Sequence, residues 1–315
     1  MRKNSGNLLY LTGGLGNQLF QLCFGLRSTK NQIILETMKG KPRTSIRHIP
    51  DLLEFRLPER VSSGNFKNSL FVSRVINYNL RICIVPKGLE KSVFFVRLVN
   101  FLSRLVVIFH YKRRLKLHVA HGVGFDRMSN VNHEDSLLVG YFQSHRWLEI
   151  QRVVNEMDSL SLVSPSDHFN SLLGKIKEFP TIVLHIRLGD YLNEVNFGIT
   201  SPEYLNKSLD EIYSVTGEVR IWGFSDEPEK AIEIAKSAGI SISEWVSPEH
   251  LTSAETLQLM REGSGFILAN STFSWWAASL RKDKSAPVVA PEPWFKNMDE
   301  PRDLVPNEWI RIKAF

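Results

Sequence analysis

The chain has 315 residues, 43% of them hydrophobic and 23% charged, which excludes a disordered or fibrous protein and exceeds one ordinary core, so two domains are expected. Its two cysteines, Cys23 and Cys83, exclude a disulfide framework and read as reduced core thiols of a cytosolic protein. The net charge of +6 conceals an asymmetry: residues 1–150 carry 23 Lys and Arg against 9 Asp and Glu (+14), whereas residues 151–315 carry 16 against 24 (−8).

Leu8–Thr12 is a short apolar run ending in Gly13-Gly14-Leu15-Gly16. Leu19, Phe20, Cys23 and Phe24 follow at three- and four-residue steps. The pattern predicts strand, glycine turn and helix. The start lacks the long apolar stretch of a secretory signal, and no segment reaches the ~18 apolar residues of a membrane span. Residues 31–90 are irregular, with short strand-like pieces such as Gln32–Glu36.

Residues 93–117 join an apolar run, interrupted by Arg97 and Arg104, to the basic cluster Lys112, Arg113, Arg114 and Lys116. Two readings stand: an interfacial basic amphipathic helix, and a core helix with a solvated charged end, which is the plainer of the two. Leu137–Phe142 reads as a buried strand leading into a helical Leu148–Met157. The stretch Ser159–Asp167 is the natural linker. The domains are therefore expected at 1–160 and 161–315.

The second half alternates. Strands are predicted at Thr181–Ile186, Val219–Phe224, Ile240–Ile242, Gly265–Ala269 and Pro287–Ala290. Helices are predicted at Pro202–Val215, Glu227–Ala238, Ala254–Arg261 and Ser274–Leu280. Such alternation implies a parallel sheet covered on both faces, with ligands at the carboxyl ends of its strands.

Four segments could carry chemistry. The Gly13–Gln18 turn lets a backbone approach a ligand at a helix N-terminus, although a plain tight turn explains it equally well. It is neither the dinucleotide fingerprint nor a Walker loop. In His185-Ile186-Arg187-Leu188-Gly189-Asp190-Tyr191, alternation sets His185 and Arg187 on one side of a strand end. A guanidinium there can hold a diphosphate; a structural Arg187–Asp190 ion pair is the bland alternative. Asp226 follows a strand, where it could bond a ribose or base, or cap the next helix. Ser271, Thr272 and Ser274 can grip phosphate or cap a helix, and Trp275 and Trp276 should pack in a core. No Asp-x-Asp pair, zinc-spaced His/Cys cluster or Gly-x-Ser-x-Gly elbow occurs.

In this order the segments resemble glycosyltransferase family 11, the α-1,2-fucosyltransferases. Gly13–Gln21 looks like that family's opening segment and His185–Tyr191 like its His-x-Arg-Arg-Gly-Asp-Tyr signature. Asn270–Ala278, followed by Ala290-Pro291 and Trp294-Phe295, looks like its closing motif. One departure is clear: the second arginine is Leu188, which puts donor affinity in question unless another basic residue substitutes. Residues 31–130 match no part of the pattern.

The resemblance implies a GT-B architecture, two Rossmann-like α/β domains facing a cleft, with GDP-fucose on the C-terminal domain and most of the acceptor on the N-terminal one. It implies inverting transfer of fucose to a hydroxyl, galactose O2 above all, in surface polysaccharide or O-antigen synthesis, without a metal or other cofactor. Arg187 would bind the β-phosphate and stabilise the leaving group, with His185 beside the nucleotide. Asp226 would lie near the nucleoside, and Ser271 and Thr272 near the phosphates. Asn17 and Gln18 would face the cleft. Asp190 and Glu194 are the candidates for general base.

Rival readings are a transferase of the same fold with another linkage or GDP-sugar, a non-catalytic sugar-binding homologue, and a nucleic-acid-binding protein. Against the last, no binding module is evident and the aromatics are not interleaved with the basic residues. No nucleic-acid partner is expected. The absence of a signal and of a Golgi-type anchor suggests a bacterial cytoplasmic enzyme, and the +14 half with segment 93–117 suggests that it docks peripherally on the anionic inner face of the inner membrane.

Overall fold

The computed structural model describes residues 6–36, 50–64, 70–84, 93–111, 115–125 and 133–315. The chain divides into two compact units. One is Met1–Leu160 with Pro301–Leu304; the other is Ser161–Glu300 with Val305–Phe315.

The first unit contains β1 (Asn7–Tyr10), α1 (Leu15–Ser28), β2 (Ile33–Glu36), β3 (Phe55–Arg56), β4 (Val61–Ser63), α2 (Leu70–Ile84), α3 (Val93–Tyr111), β5 (Lys116–Val119), β6 (Ser136–Val139) and α4 (Gln151–Asp158). Five strands form a sheet in the order β4-β2-β1-β6-β5, parallel throughout. β1 and β6 are buried along their whole length, as continuous apolar runs in a doubly covered parallel sheet must be. The glycine turn after β1 is where the pattern predicted it. Gly13 takes φ +76°, a backbone region that side chains other than glycine rarely enter. The predicted helical residues Leu19, Phe20, Cys23 and Phe24 are all buried, and Phe24 stacks on Phe142 with ring centroids 3.8 Å apart.

Segment 93–117 differs from the core-helix reading. α3 runs from Val93 to Tyr111 and buries Ser103, Val107 and Tyr111 but leaves much of its apolar surface exposed. Lys116 lies in β5. The rest of the basic cluster, Lys112, Arg113 and Arg114, is outside the described residues.

The second unit contains β7 (Ser161–Leu162), α5 (Asp167–Lys177), β8 (Thr181–Ile186), α6 (Pro202–Thr216), β9 (Arg220–Ser225), α7 (Pro228–Ser237), β10 (Glu244–Val246), α8 (Ser253–Met260), β11 (Gly265–Ile267), α9 (Thr272–Ser279), β12 (Val288–Glu292) and β13 (Ile310–Lys313). Its six-stranded sheet has the order β10-β9-β8-β11-β12-β13, again all parallel. Most of the helix starts follow from capping chemistry. Ser166 and Ser201 accept from the N–H groups of Phe169 and Tyr204, and Pro202 occupies the first helical turn of α6. Thr252 and Glu255 form a reciprocal capping box on α8.

One predicted strand moved. Ile240–Ile242 is not a strand; pairing with β9 starts at Glu244, opposite Trp222. The Ile240 N–H is still closing α7, bonded to Ala235 O at 2.9 Å, and the Ser243 N–H and hydroxyl both reach Ile221 O. Ser243 thus makes the first contact with β9, and the strand follows from residue 244.

Candidate active site

The chain lays β8, β9 and β10 out to one side of the second sheet and then β11, β12 and β13 to the other. Its order therefore reverses between β8 and β11. At such a switch point the loops leaving adjacent strands diverge and open a crevice at the carboxyl ends. The loop after β8 carries Arg187–Tyr191, the loop after β11 carries Asn270 and Ser271, and the turn after β9 carries Asp226. Three separate sequence segments thus meet at one sheet edge.

Arg187 is the hub. Its Nη2 donates to Asp190 Oδ1 at 2.7 Å, and its Nη1 lies 3.2 Å from Asp226 Oδ2. The guanidinium also sits over the Tyr191 ring, 5.6 Å from its centroid. Burial pulls the pKa of Arg187 down. Asp226 and then Asp190 outweigh it and hold the guanidinium above its ordinary value. The cation is permanent, oriented by two carboxylates, and about a third exposed. The bland ion pair foreseen with Asp190 is present, but it leaves Arg187 accessible.

Asp226 does not cap α7. The cap position is Glu227, whose side chain makes no capping bond, while Asp226 Oδ1 accepts the Leu188 N–H at 2.9 Å. Its carboxylate therefore ties the β9 turn to the β8 loop. Gly189 makes room for it: a Cβ there would fall on Asp226 Oδ2. Leu188, where the family pattern has a second arginine, is 1% exposed and belongs to the core packed around β8 and α6. The departure removes no group from the exposed side of the loop.

His185 is 4% exposed. Burial, and secondarily the charge of Arg187, lowers its pKa to about 3. It is neutral at ordinary pH, and its Nδ1 has no hydrogen-bond partner among the described residues. The ring lies 6.0 Å from that of Phe273, in the first turn of α9. Tyr191, raised to about 12 chiefly by burial, stays protonated and donates to Asn270 O at 3.0 Å. Asn270 in turn donates to Phe197 O and Gly198 O. These bonds fix the two diverging loops to each other.

Ser271 caps α9, its Oγ accepting the Phe273 N–H at 3.3 Å, and Thr272 is the first helical residue, half-buried. A helix N-terminus carries partial positive charge. Trp275 and Trp276 are fully buried behind it, as their size required. Beyond Asp226 the turn opens into a pocket of ≈ 490 Å³ lined by Glu227, Lys230, Ser247 and Glu249 among others. Glu194 is exposed.

Asn17 and Gln18 belong to the first unit, at its own order reversal between β1 and β6. Asn17 Oδ1 accepts from Gln143 Nε2 at 3.0 Å, which joins the first turn of α1 to the loop after β6. Gln18 is buried and used by the fold: its amide donates to Gly13 O and accepts from the Leu52 N–H. Gln21, not foreseen, bridges Thr12 and Gly140 in the same way. Gly189, Tyr191 and Asn270, which hold the loops of the second unit in place, were also missed. Their roles depend on partners far away in sequence.

A fixed guanidinium, a neutral buried imidazole and a helix N-terminus lie at the switch point of one parallel sheet, an arrangement whose chemistry suits an anion. Comparison with known proteins narrows the class. The glycosyl transferase family 11 pattern matches residues 121–313, more than half of the chain, and the chain belongs to that family. An α-1,2-colitosyltransferase of Escherichia coli is 23% identical over 311 residues, covering 96% of this chain and 97% of the relative. The O-antigen biosynthesis glycosyltransferase WbnK of Escherichia coli is 26% identical over 322 residues, covering 96% and 99%. Among solved structures, the fucosyltransferase NodZ from Bradyrhizobium is similar at 11% identity and a TM-score of 0.46, over 95% of this chain and 100% of that one.

Proposed function

We propose that the protein transfers L-fucose from GDP-β-L-fucose to a glycan hydroxyl, galactose O2, with inversion and without a metal, in O-antigen synthesis. The observation that carries this is Arg187: a permanent, half-sheltered cation clamped between Asp190 and Asp226 at the switch point, on a loop that Tyr191 ties to Asn270 just ahead of α9. A leaving diphosphate needs such a charge as the bond to the sugar breaks. The second unit then holds the donor. Its β-phosphate meets Arg187 and the first turn of α9, with Thr272, and its nucleoside extends toward the pocket beyond Asp226. His185, kept neutral by burial, can accept or donate one hydrogen bond without competing for the phosphate charge.

The chemistry is one displacement. The acceptor oxygen forms its bond to the anomeric carbon while the bond to the β-phosphate oxygen breaks, and GDP leaves with that electron pair. The hydroxyl proton passes to Asp190. Its Oδ1 is engaged by Arg187, and its side chain is 61% exposed, leaving the other oxygen open to the acceptor.

A second reading replaces the donor by GDP-colitose and is favoured by the name of the colitosyltransferase relative. Colitose differs from fucose by one hydroxyl, so the two are separated by incubating the protein with each GDP-sugar and a β-galactoside. Nuclear magnetic resonance of the product gives the linkage. A new α-1,2-fucosyl signal supports the first reading; product from GDP-colitose alone replaces it with the second.

A further inference from the structure

α2 and α3 contain no Asp or Glu between them, and their only full charges are Arg74, Arg81, Arg97 and Arg104. All four are exposed. The buried stripes of both helices, Val72, Ile76 and Leu80 on one and Val107 and Tyr111 on the other, pack with Leu8, Tyr10, Leu137 and Val139 of the sheet. Both helices therefore cover the same sheet face, and their outer stripes point the same way.

A helix covering a sheet ordinarily turns charged and polar residues to solvent on its outer face. α3 instead presents Phe95, Leu98, Phe101, Leu102, Leu105 and Phe109, at steps of three and four residues, with Phe109 87% exposed. On α2, Phe71 and Tyr78 alternate with Arg74 and Arg81 along one exposed stripe. No described helix is long and apolar enough to cross a membrane.

We infer that the outer face of the α2–α3 pair lies flat on a bilayer containing anionic lipids. The aromatic and leucine side chains would enter the headgroup boundary, and the arginines would reach the phosphates around it. Charge decides between this occupant and a second copy of the chain. A symmetric contact would set the same four arginines against each other, with no carboxylate on either helix to neutralise them. An anionic lipid surface neutralises all four. The inference is independent of which sugar is transferred.

Co-sedimentation of the full chain with phosphatidylcholine vesicles, alone or with about 30 mol% phosphatidylglycerol, tests it. The wild type should pellet with the anionic vesicles, and much less with the neutral ones. Added salt at about 0.5 M should release it. Phe101→Ser/Phe109→Ser and Arg97→Gln/Arg104→Gln should each lower the partition coefficient about tenfold. These positions are exposed, so circular dichroism and the melting temperature should match the wild type and certify the fold. Variants that pellet like the wild type overturn the inference, as does equal binding to neutral vesicles. So does a wild type that ignores vesicles and sediments as a dimer that Phe101→Ser/Phe109→Ser dissociates; the face would then belong to a second copy.

Discussion

Burying a neutral histidine beside an arginine has a cost that depends on pH. His185 titrates near 6.5 in an unfolded chain and near 3 in the folded one. Below pH 6.5 the unfolded state takes up a proton that the folded state refuses. Stability is thus fully present above 6.5 and is lost as pH falls toward 3, at about 1.4 kcal/mol per pH unit. Between pH 6.5 and 5 this residue should account for about 2 kcal/mol. Urea unfolding followed by tryptophan fluorescence is a suitable assay, because six of the seven tryptophans fall after residue 160 and report on the second unit. The difference in unfolding free energy between about pH 7.5 and pH 5 should be smaller in His185→Gln than in the wild type by that amount. Other titrating groups cancel in this comparison. Equal pH dependence in the two proteins would mean that His185 takes up its proton in the folded state, and the neutral-imidazole account of the site would fail.

Gly189→Ala should push the Asp226 carboxylate from its place, break its bonds to Leu188 N and Arg187, and cost about 1–3 kcal/mol of stability; differential scanning calorimetry reads this, and an unchanged melting temperature would contradict it. Tyr191→Phe removes the bond to Asn270 O and should weaken nucleotide binding about fivefold, as about 1 kcal/mol of loop fixation is lost, measured by calorimetric titration with GDP. Glu255 accepts from the Thr252 and Ser166 N–H groups; Glu255→Ala leaves both without that acceptor and should destabilise the second unit by about 1–3 kcal/mol in urea unfolding.

Much of the second unit was legible because its strands are buried on both faces and its helices are not. Thr181–Ile186 is six residues of uninterrupted burial, a run that only a covered parallel strand needs. Pro202 and Thr252 mark helix starts by local chemistry. Arg187, the Asp190 ion pair and the buried tryptophans could be read for the same reason: each rests on neighbours within a few residues. What could not be read depends on distant contacts. Nothing near Asp226 announces that its carboxylate serves Leu188 and Arg187, nearly forty positions earlier, and so it looked like a helix cap. Gly189 is needed only because that carboxylate arrives. Gln18 looked like a ligand group, since its bond to the Leu52 N–H crosses a stretch without pattern. β13 escaped notice because Ile310–Lys313 alternates weakly and earns its place by pairing with β12. α3 was misjudged for a different reason: periodicity gives the apolar content of a helix but not how many of its faces find a partner.

The central claim is that Arg187 neutralises a departing diphosphate. The direct measurement is GDP release from GDP-fucose in the presence of EDTA, across a panel of β-galactosides, for wild type and Arg187→Ala. The account predicts acceptor-dependent release that EDTA leaves intact and that falls about 10²–10³-fold in the variant. Release by Arg187→Ala at the wild-type rate, or release that EDTA abolishes, would contradict it.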